Sequence, residues 1–267
     1  FMNSRYNITE ALGTNQLRVG GFVYNTTTGA ITVPIQWETI ELQDGFYDVA
    51  SIIAAINAGL AASSIPAVTN VISELDLSNP LQRVVFKVDP AAPSPGVGLA
   101  WGFDLDFRLE SDPDRAPYLN LAWMLGFRKS QYTFQEDYQQ TASGTMLVGF
   151  NAEAIANTSG SPFYLLEIND FNKNNPTVVD YNCDSKYSFN IKDVIARIPN
   201  VSSFDSVIFE DSSDRMWKTR KYFGPVRIKK LRVRLLDDVG RVVDTNDGEF
   251  TLTLEITTLN MPYKRHI

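Results

Sequence analysis

The sequence predicts an all-β fold, an antiparallel sandwich, on three observations. Apolar residues alternate with polar ones over short runs, as in Phe103, Leu105, Phe107, Leu109 and again in Phe250, Leu252, Leu254, Ile256, the two-residue period of a strand with one buried face. Clusters of Gly, Pro, Asn and Asp bound these runs. Only one stretch has a convincing helical period, so the strand–helix–strand rhythm of a parallel sheet is missing. With 44% apolar and 12% aromatic residues among 267, the chain can build a full core without staples and is too hydrophobic for disorder.

Taken in order, Val23, Ile31, Val33, Ile35, Trp37 and Ile40 predict two strands broken by a turn at Asn25 to Gly29. Asp48 is a good N-cap for a helix whose apolar face is Val49, Ile52, Ile53, Ile56 and Leu60, with Gly59 as its left-handed stop. That helix is short and amphipathic, and needs a sheet to pack on. Strands follow at Ala67 to Leu75 and Arg83 to Val88, then a loop at Pro90 to Gly98. The period from Phe103 to Glu110 puts the phenylalanines and leucines inward and Asp104, Asp106, Arg108 and Glu110 in water.

A short helix through Leu119 to Leu125 ends at Gly126. Further strands are expected at Thr145 to Phe150, Phe163 to Ile168, Val194 to Ile198 and Ser206 to Glu210, with loops at Asn169 to Asn182 and Asp211 to Asp214. Val226 and Ile228 fall on even positions, but Leu231, Val233 and Leu235 fall on odd ones, which predicts a bulge at Lys229–Lys230. Turns at Asp237 to Gly240 and Asn246 to Gly248 precede a half-buried strand at Glu249 to Thr257. Among antiparallel solutions, a jelly roll with one short amphipathic helix and loop insertions suits this length: residues 1–267 as one jelly-roll domain with an N-terminal extension.

Scarce residues exclude several chemistries. Cys183 is the only cysteine and His266, one residue from the end, the only histidine. An intrachain disulfide, a thiolate zinc site and any triad built on a core imidazole are therefore out. Gly96-Val97-Gly98 lacks the spacing and context of a dinucleotide loop, and Asp244, Asn246 and Asp247 lack the spacing of a calcium loop. Asp104 with Asp106, and Asp112 with Asp114, are carboxylate pairs that a hydrolase could use in principle, with Asp104 and Asp106 the only defensible candidates, and a solvated face and a turn account for them better. Tyr118, Trp123, Tyr132, Phe134 and Tyr138 could form a carbohydrate platform or equally a core or interface. The longest apolar stretch, Ala50 to Ala62, is too short to span a membrane. No catalytic, cofactor-binding or metal-binding residue is assigned, and no cofactor or small-molecule substrate is expected.

Charge is unevenly distributed. The chain carries −7 overall, and residues 1–82 hold two bases against seven acids, yet Lys218, Arg220, Lys221, Arg227, Lys229, Lys230, Arg232 and Arg234 fall within 17 residues without an acid. No aromatic stacking pattern accompanies them, so specific nucleic-acid binding is not expected. Arg227, Lys229, Lys230, Arg232 and Arg234 are instead the candidate interface, with an acidic neighbour as partner.

The block Tyr222-Phe223-Gly224-Pro225-Val226, Leu231, Leu235-Leu236-Asp237-Asp238, Gly240-Arg241-Val242-Val243-Asp244, Asn246 and Phe250 resembles the closing strands of capsid proteins of large icosahedral double-stranded DNA viruses. More narrowly, it is similar to their single jelly-roll penton and minor capsid proteins. Leu125-Gly126-Phe127, Leu165 to Phe171, and Ile40-Glu41-Leu42 through Tyr47 into the helix add to the likeness. The resemblance implies a non-enzymatic shell protein in the virion, assembled in the host cytoplasm. Its partners would be itself, as a homopentamer at the vertices, and the major and other minor capsid proteins. A minor capsid protein cementing capsomers is the alternative, and a carbohydrate-binding jelly roll the more distant one.

Overall fold

Asn25 folds the first hairpin. Its side-chain oxygen accepts hydrogen bonds from the Thr27 and Thr28 amides at 2.9 and 3.0 Å, and Gly29 takes a φ of +71°, a side-chain turn followed by a left-handed residue. On either side run β1 (Gln16–Asn25) and β2 (Ile31–Glu41), as the sequence predicts. The computed structural model describes residues 5–77, 82–137, 149–171, 178–181, 189–200, 206–208, 220–222 and 225–258, with backbone only at 137, 178–181 and 189–191. The chain continues through α1 (Val49–Ala61), β3 (Val71–Leu75), β4 (Val84–Val88) and β5 (Leu99–Asp106), then a five-residue helix at Leu121–Leu125. Next come β6 (Gln131–Tyr132), β7 (Gly149–Asn151), β8 (Phe163–Asn169), β9 (Val178–Tyr181), β10 (Phe189–Lys192), β11 (Val194–Pro199) and β12 (Arg232–Leu236).

Every ladder among the described residues is antiparallel, in sheets ordered β2-β1-β5-β6, β3-β4-β7, β11-β8-β12 and β10-β9. The protein is therefore an antiparallel, mostly β fold with few helices. Its main core lies between the first two sheets. Phe103 of β5 meets Phe150 of β7 edge-on at 5.2 Å between ring centres, and Phe107 packs on Phe86 and Phe127 at 6.5 and 5.4 Å. Ile52, Ile56 and Leu60 of α1 close this core. Asn57 fixes the helix to β3 by donating to the Ser73 carbonyl and accepting from the Ser73 amide. A second, smaller core forms around β8, from Tyr164, Leu166, Ile168, Ile198 and Leu235. In β2, Pro34 and Ile35 together stand opposite Phe22, between the pairs Gly21↔Gln36 and Val23↔Val33, a bulge that accommodates a residue with no N–H.

Several expectations are corrected. Asp48 does cap α1, accepting from the Ser51 amide at 2.7 Å, but Gly59 lies inside the helix, which runs to Ala61. Glycine is needed there because a Cβ would strike the Ile40 side chain of β2. Ala67 to Asn70 is not strand: Pro66–Thr69 forms a single helical turn, for which Pro66 is preset. The face of β5 assigned to water is buried, with Asp104 and Asp106 at 6% and 3% exposure, because the chain at 131–134 folds over it and supplies hydrogen-bond donors. The loop expected at Asn169 to Asn182 contains β9. No strand forms at 206–208, and the rest of Ser206 to Glu210, with Asp211 to Asp214, lies outside the described residues, as do 145–148.

Two corrections concern the C-terminal quarter. Residues 225–231 belong to no ladder, so no bulge exists at Lys229–Lys230 and the strand begins only at Arg232. Glu249 to Thr257 forms no strand and pairs with no described one, and its four apolar side chains are 36% to 68% exposed. Period-two patterning records the wish to be a strand, whereas a ladder needs a neighbouring edge within reach.

Gly126 ends the Leu121–Leu125 helix as predicted, at φ +93°, and an added Cβ would run into the Ala154 carbonyl. Gly29 is also left-handed but has open space around it. Gly29→Ala should cost about 1–2 kcal/mol, and Gly126→Ala about 3 kcal/mol or more because overpacking is added. Urea unfolding of the two variants beside wild type checks the order.

Candidate assembly interface

The basic run divides into two groups once its neighbours are in place. Arg232 and Arg234 lie on β12 beside β8, where Arg234 stands directly opposite Glu167. Arg234 donates from Nε to Glu167 Oε2 at 2.9 Å, and Arg232 from Nη2 to Oε1 at 3.1 Å. Glu167 is 2% exposed, on a strand whose neighbouring Leu165, Leu166 and Ile168 are buried too. A charge buried this far costs several kcal/mol unless donors compensate it, and two guanidinium groups do so here.

Arg220 is spent in the same way. It donates from Nη1 to the Ile168 carbonyl at 2.8 Å and from Nη2 to the Asp193 carbonyl at 3.3 Å, with Asp170 Oδ2 3.4 Å away. The Tyr222 hydroxyl also donates to Asp170. Burial and that hydrogen bond raise the Tyr222 pKa above the usual phenol range. Arg220 and Tyr222 are thereby strapped to the end of the small sheet where β8 finishes and β11 begins.

Lys221, Arg227, Lys229 and Lys230 remain exposed and form no ion pair with any described residue. Lys230 Nζ lies 4.1 Å from the centre of the Phe171 ring, a cation over an aromatic face. Phe171, Ile228 and Leu231 are exposed between these cations. Of the five candidate interface residues, Arg227, Lys229 and Lys230 thus face water, and Arg232 and Arg234 are structural. Lys218 lies outside the described residues.

The other candidates are absorbed by the fold. Asp104 accepts from the Phe134 amide at 2.7 Å, and Asp106 binds the Arg108 amide and guanidinium at 2.9–3.0 Å and Gln131 at 3.0 Å. Burial alone would raise the Asp106 pKa, but the Arg108 contacts outweigh it and hold it below the usual carboxylate range. Tyr132 and Phe134 are core residues rather than a platform, because Tyr132 reaches Glu153 from beneath Phe127 and Phe134 packs on Phe22 and Tyr24. Trp123 is exposed but covered on one face by Arg128 at 3.9 Å. Cys183, His266 and Tyr138 lie outside the described residues. Among the described residues, no three His, Cys, Asp or Glu side chains group as a metal site would, and no helix is long and apolar enough to cross a membrane.

Glu167 and Asp170 carry most of this arrangement, and sequence reasoning passed over both. An acid inside the apolar run Leu165 to Ile168, in a chain with an Arg-x-Arg strand, was the available signal.

Two outcomes follow. Replacing Arg232 and Arg234 together by alanine strands a buried carboxylate and should cost about 3 kcal/mol, whereas Lys229→Ala with Lys230→Ala should stay within about 0.5 kcal/mol, both read by urea unfolding. For Asp106 the folded pKa is depressed, so the unfolded chain takes up the proton first and stability falls as pH drops below about 4. Asp106→Asn should therefore flatten the stability curve below that pH and leave its slope above about pH 5 unchanged, as measured by denaturation across a pH series. No protein-family model, curated protein or solved structure matches this chain.

Proposed function

We propose that this chain is a structural protein of an icosahedral viral shell, built as a jelly roll and acting as the penton: five copies closing a ring at each vertex. The observation that carries the proposal is the exposed strip of Lys221, Arg227, Lys229 and Lys230 interleaved with Ile228, Leu231 and Phe171. Cations mixed with apolar side chains, on a chain of net charge −7, make a surface suited to an acidic protein neighbour. Another copy offers such acids at Glu10, Glu41, Asp44, Glu249 and Glu255, all exposed.

The sequence resemblance to penton and minor capsid proteins points the same way, as does the antiparallel β framework. The carboxylates that a hydrolase would have needed, Asp104 and Asp106, are held by Phe134, Arg108 and Gln131, which supports an architectural over a catalytic reading. Contacts between unlike surfaces of identical chains close into rings when the rotation allows. In the shell, such a ring would border the major capsid protein and other minor capsid proteins.

Native mass spectrometry of the full chain tests this. A pentamer is expected at low salt, weakened at high salt by screening, and weakened at low salt by Arg227→Glu, Lys229→Glu and Lys230→Glu together. A monomer under all conditions would overturn the penton role and favour a cementing protein that orders only on the shell.

A further inference from the structure

The segment Glu249–Thr258 has the strongest strand pattern in the chain and no partner among the described residues. Phe250, Leu252, Leu254 and Ile256 alternate with Thr251, Thr253, Glu255 and Thr257, yet the four apolar side chains are 36% to 68% exposed. Such a comb, with open backbone donors and acceptors beside it, is a surface that proteins cover.

The chain's own fold directs the segment away from the complementary stretch. After β12, Leu236 bridges Val242 and the Val243 amide donates to the Leu235 carbonyl, so residues 242–243 run back along β12. Thr245 to Gly248 then reverses the chain again: the Gly248 amide donates to the Thr245 carbonyl at 2.9 Å, and Asn246 and Asp247 are both left-handed, with φ of +48° and +59°, the signature of a tight type I′ turn. The segment therefore leaves in the direction of β12, toward the Asp237–Gly240 end. Residues 225–231 lie off the opposite end of β12.

Those residues are its chemical complement. In 225–229 the apolar residues are even-numbered, Val226 and Ile228, and the cations odd-numbered, Arg227 and Lys229. In 249–256 the apolar residues are again even-numbered and the acids Glu249 and Glu255 odd-numbered. The antiparallel register that sets Ile228 opposite Leu254 also sets Val226 opposite Ile256 and Arg227 opposite Glu255, so apolar meets apolar and base meets acid at once. Both stretches lie outside every ladder, and all their residues are exposed except the half-buried Val226.

We infer that Glu249–Thr258 is a strand completed across a copy boundary, pairing antiparallel with Pro225–Lys229 of a second copy of this chain. The inference rests on the self-assembly part of the proposed function and narrows it to one contact. A strand donated by each copy to the next is a head-to-tail contact, and it closes when the last copy meets the first.

Chain mixing tests it. In a Cys183→Ser background, one batch carries Ile228→Cys and the other Leu254→Cys, and the two are mixed, allowed to assemble and oxidised. The expected product is a covalent dimer containing one chain of each kind. Amide hydrogen exchange should show residues 250–257 protected at least about tenfold more in the oligomer than in the salt-dissociated chain. Charge reversal at Arg227 and Lys229 should weaken assembly, and adding Glu249→Lys with Glu255→Lys should restore it, which a folding defect would not do. An oligomer that gives no mixed dimer and no added protection overturns this inference and leaves self-assembly standing. A disulfide that forms only within a chain carrying both cysteines shows the strand closing on its own chain, and also overturns it. A monomer throughout removes both.

Discussion

A carboxylate taken out of water has to be met by donors at once, and much of this structure is arranged around that constraint. Asp104, Asp106, Glu167, Asp170 and Asp237 are each 6% exposed or less. Each one joins a strand or strand end to a less regular stretch or to a neighbouring strand. Asp104 and Asp106 hold the chain around Phe134 and Gln131 over β5, Glu167 ties β12 to β8, and Asp170 receives Tyr222 and Arg220. Asp237 closes the turn after β12 by accepting from the Val239 and Arg241 amides and the Arg241 guanidinium. The apolar cores supply most of the driving force, but these carboxylates determine which segment lies over which sheet edge.

The same constraint explains what could be read from the sequence. Local chemistry was legible: the Asn25 turn, the Asp48 cap, the Gly126 stop, β8, and the antiparallel β class all follow from short-range pattern. Errors arose where tertiary contacts override pattern. The alternation through Phe103 to Glu110 looks like a wet face, and its first half, Asp104 and Asp106, is buried because residues 131–134 return to cover it, whereas Glu110 stays in water. Gly59 reads as a stop by residue type alone, whereas its role is to let α1 approach Ile40.

The basic run shows the limit most clearly. Eight like charges in a row of 17 residues read as a single surface, but the partners that divide them, Glu167, Asp170 and Asp193, lie 25 or more residues away in sequence. Counting charge cannot reveal which cations are already neutralised. Geometry leaves the lysines and Arg227 without an acidic partner among the described residues and commits Arg220, Arg232 and Arg234 to buried carboxylates, as expected from the better fit of a planar guanidinium to a carboxylate.

The bulge at Pro34 bears on how such a molecule stays orderly at high concentration. Its outermost large strand lacks one donor and departs from regular register near its middle, so a stray β-strand laid along that edge finds no unbroken row of partners. The C-terminal segment has no such guard. The subunit is thus blunt along one border and receptive at another, an asymmetry of valence that disfavours indiscriminate sheet stacking and gives growth a direction.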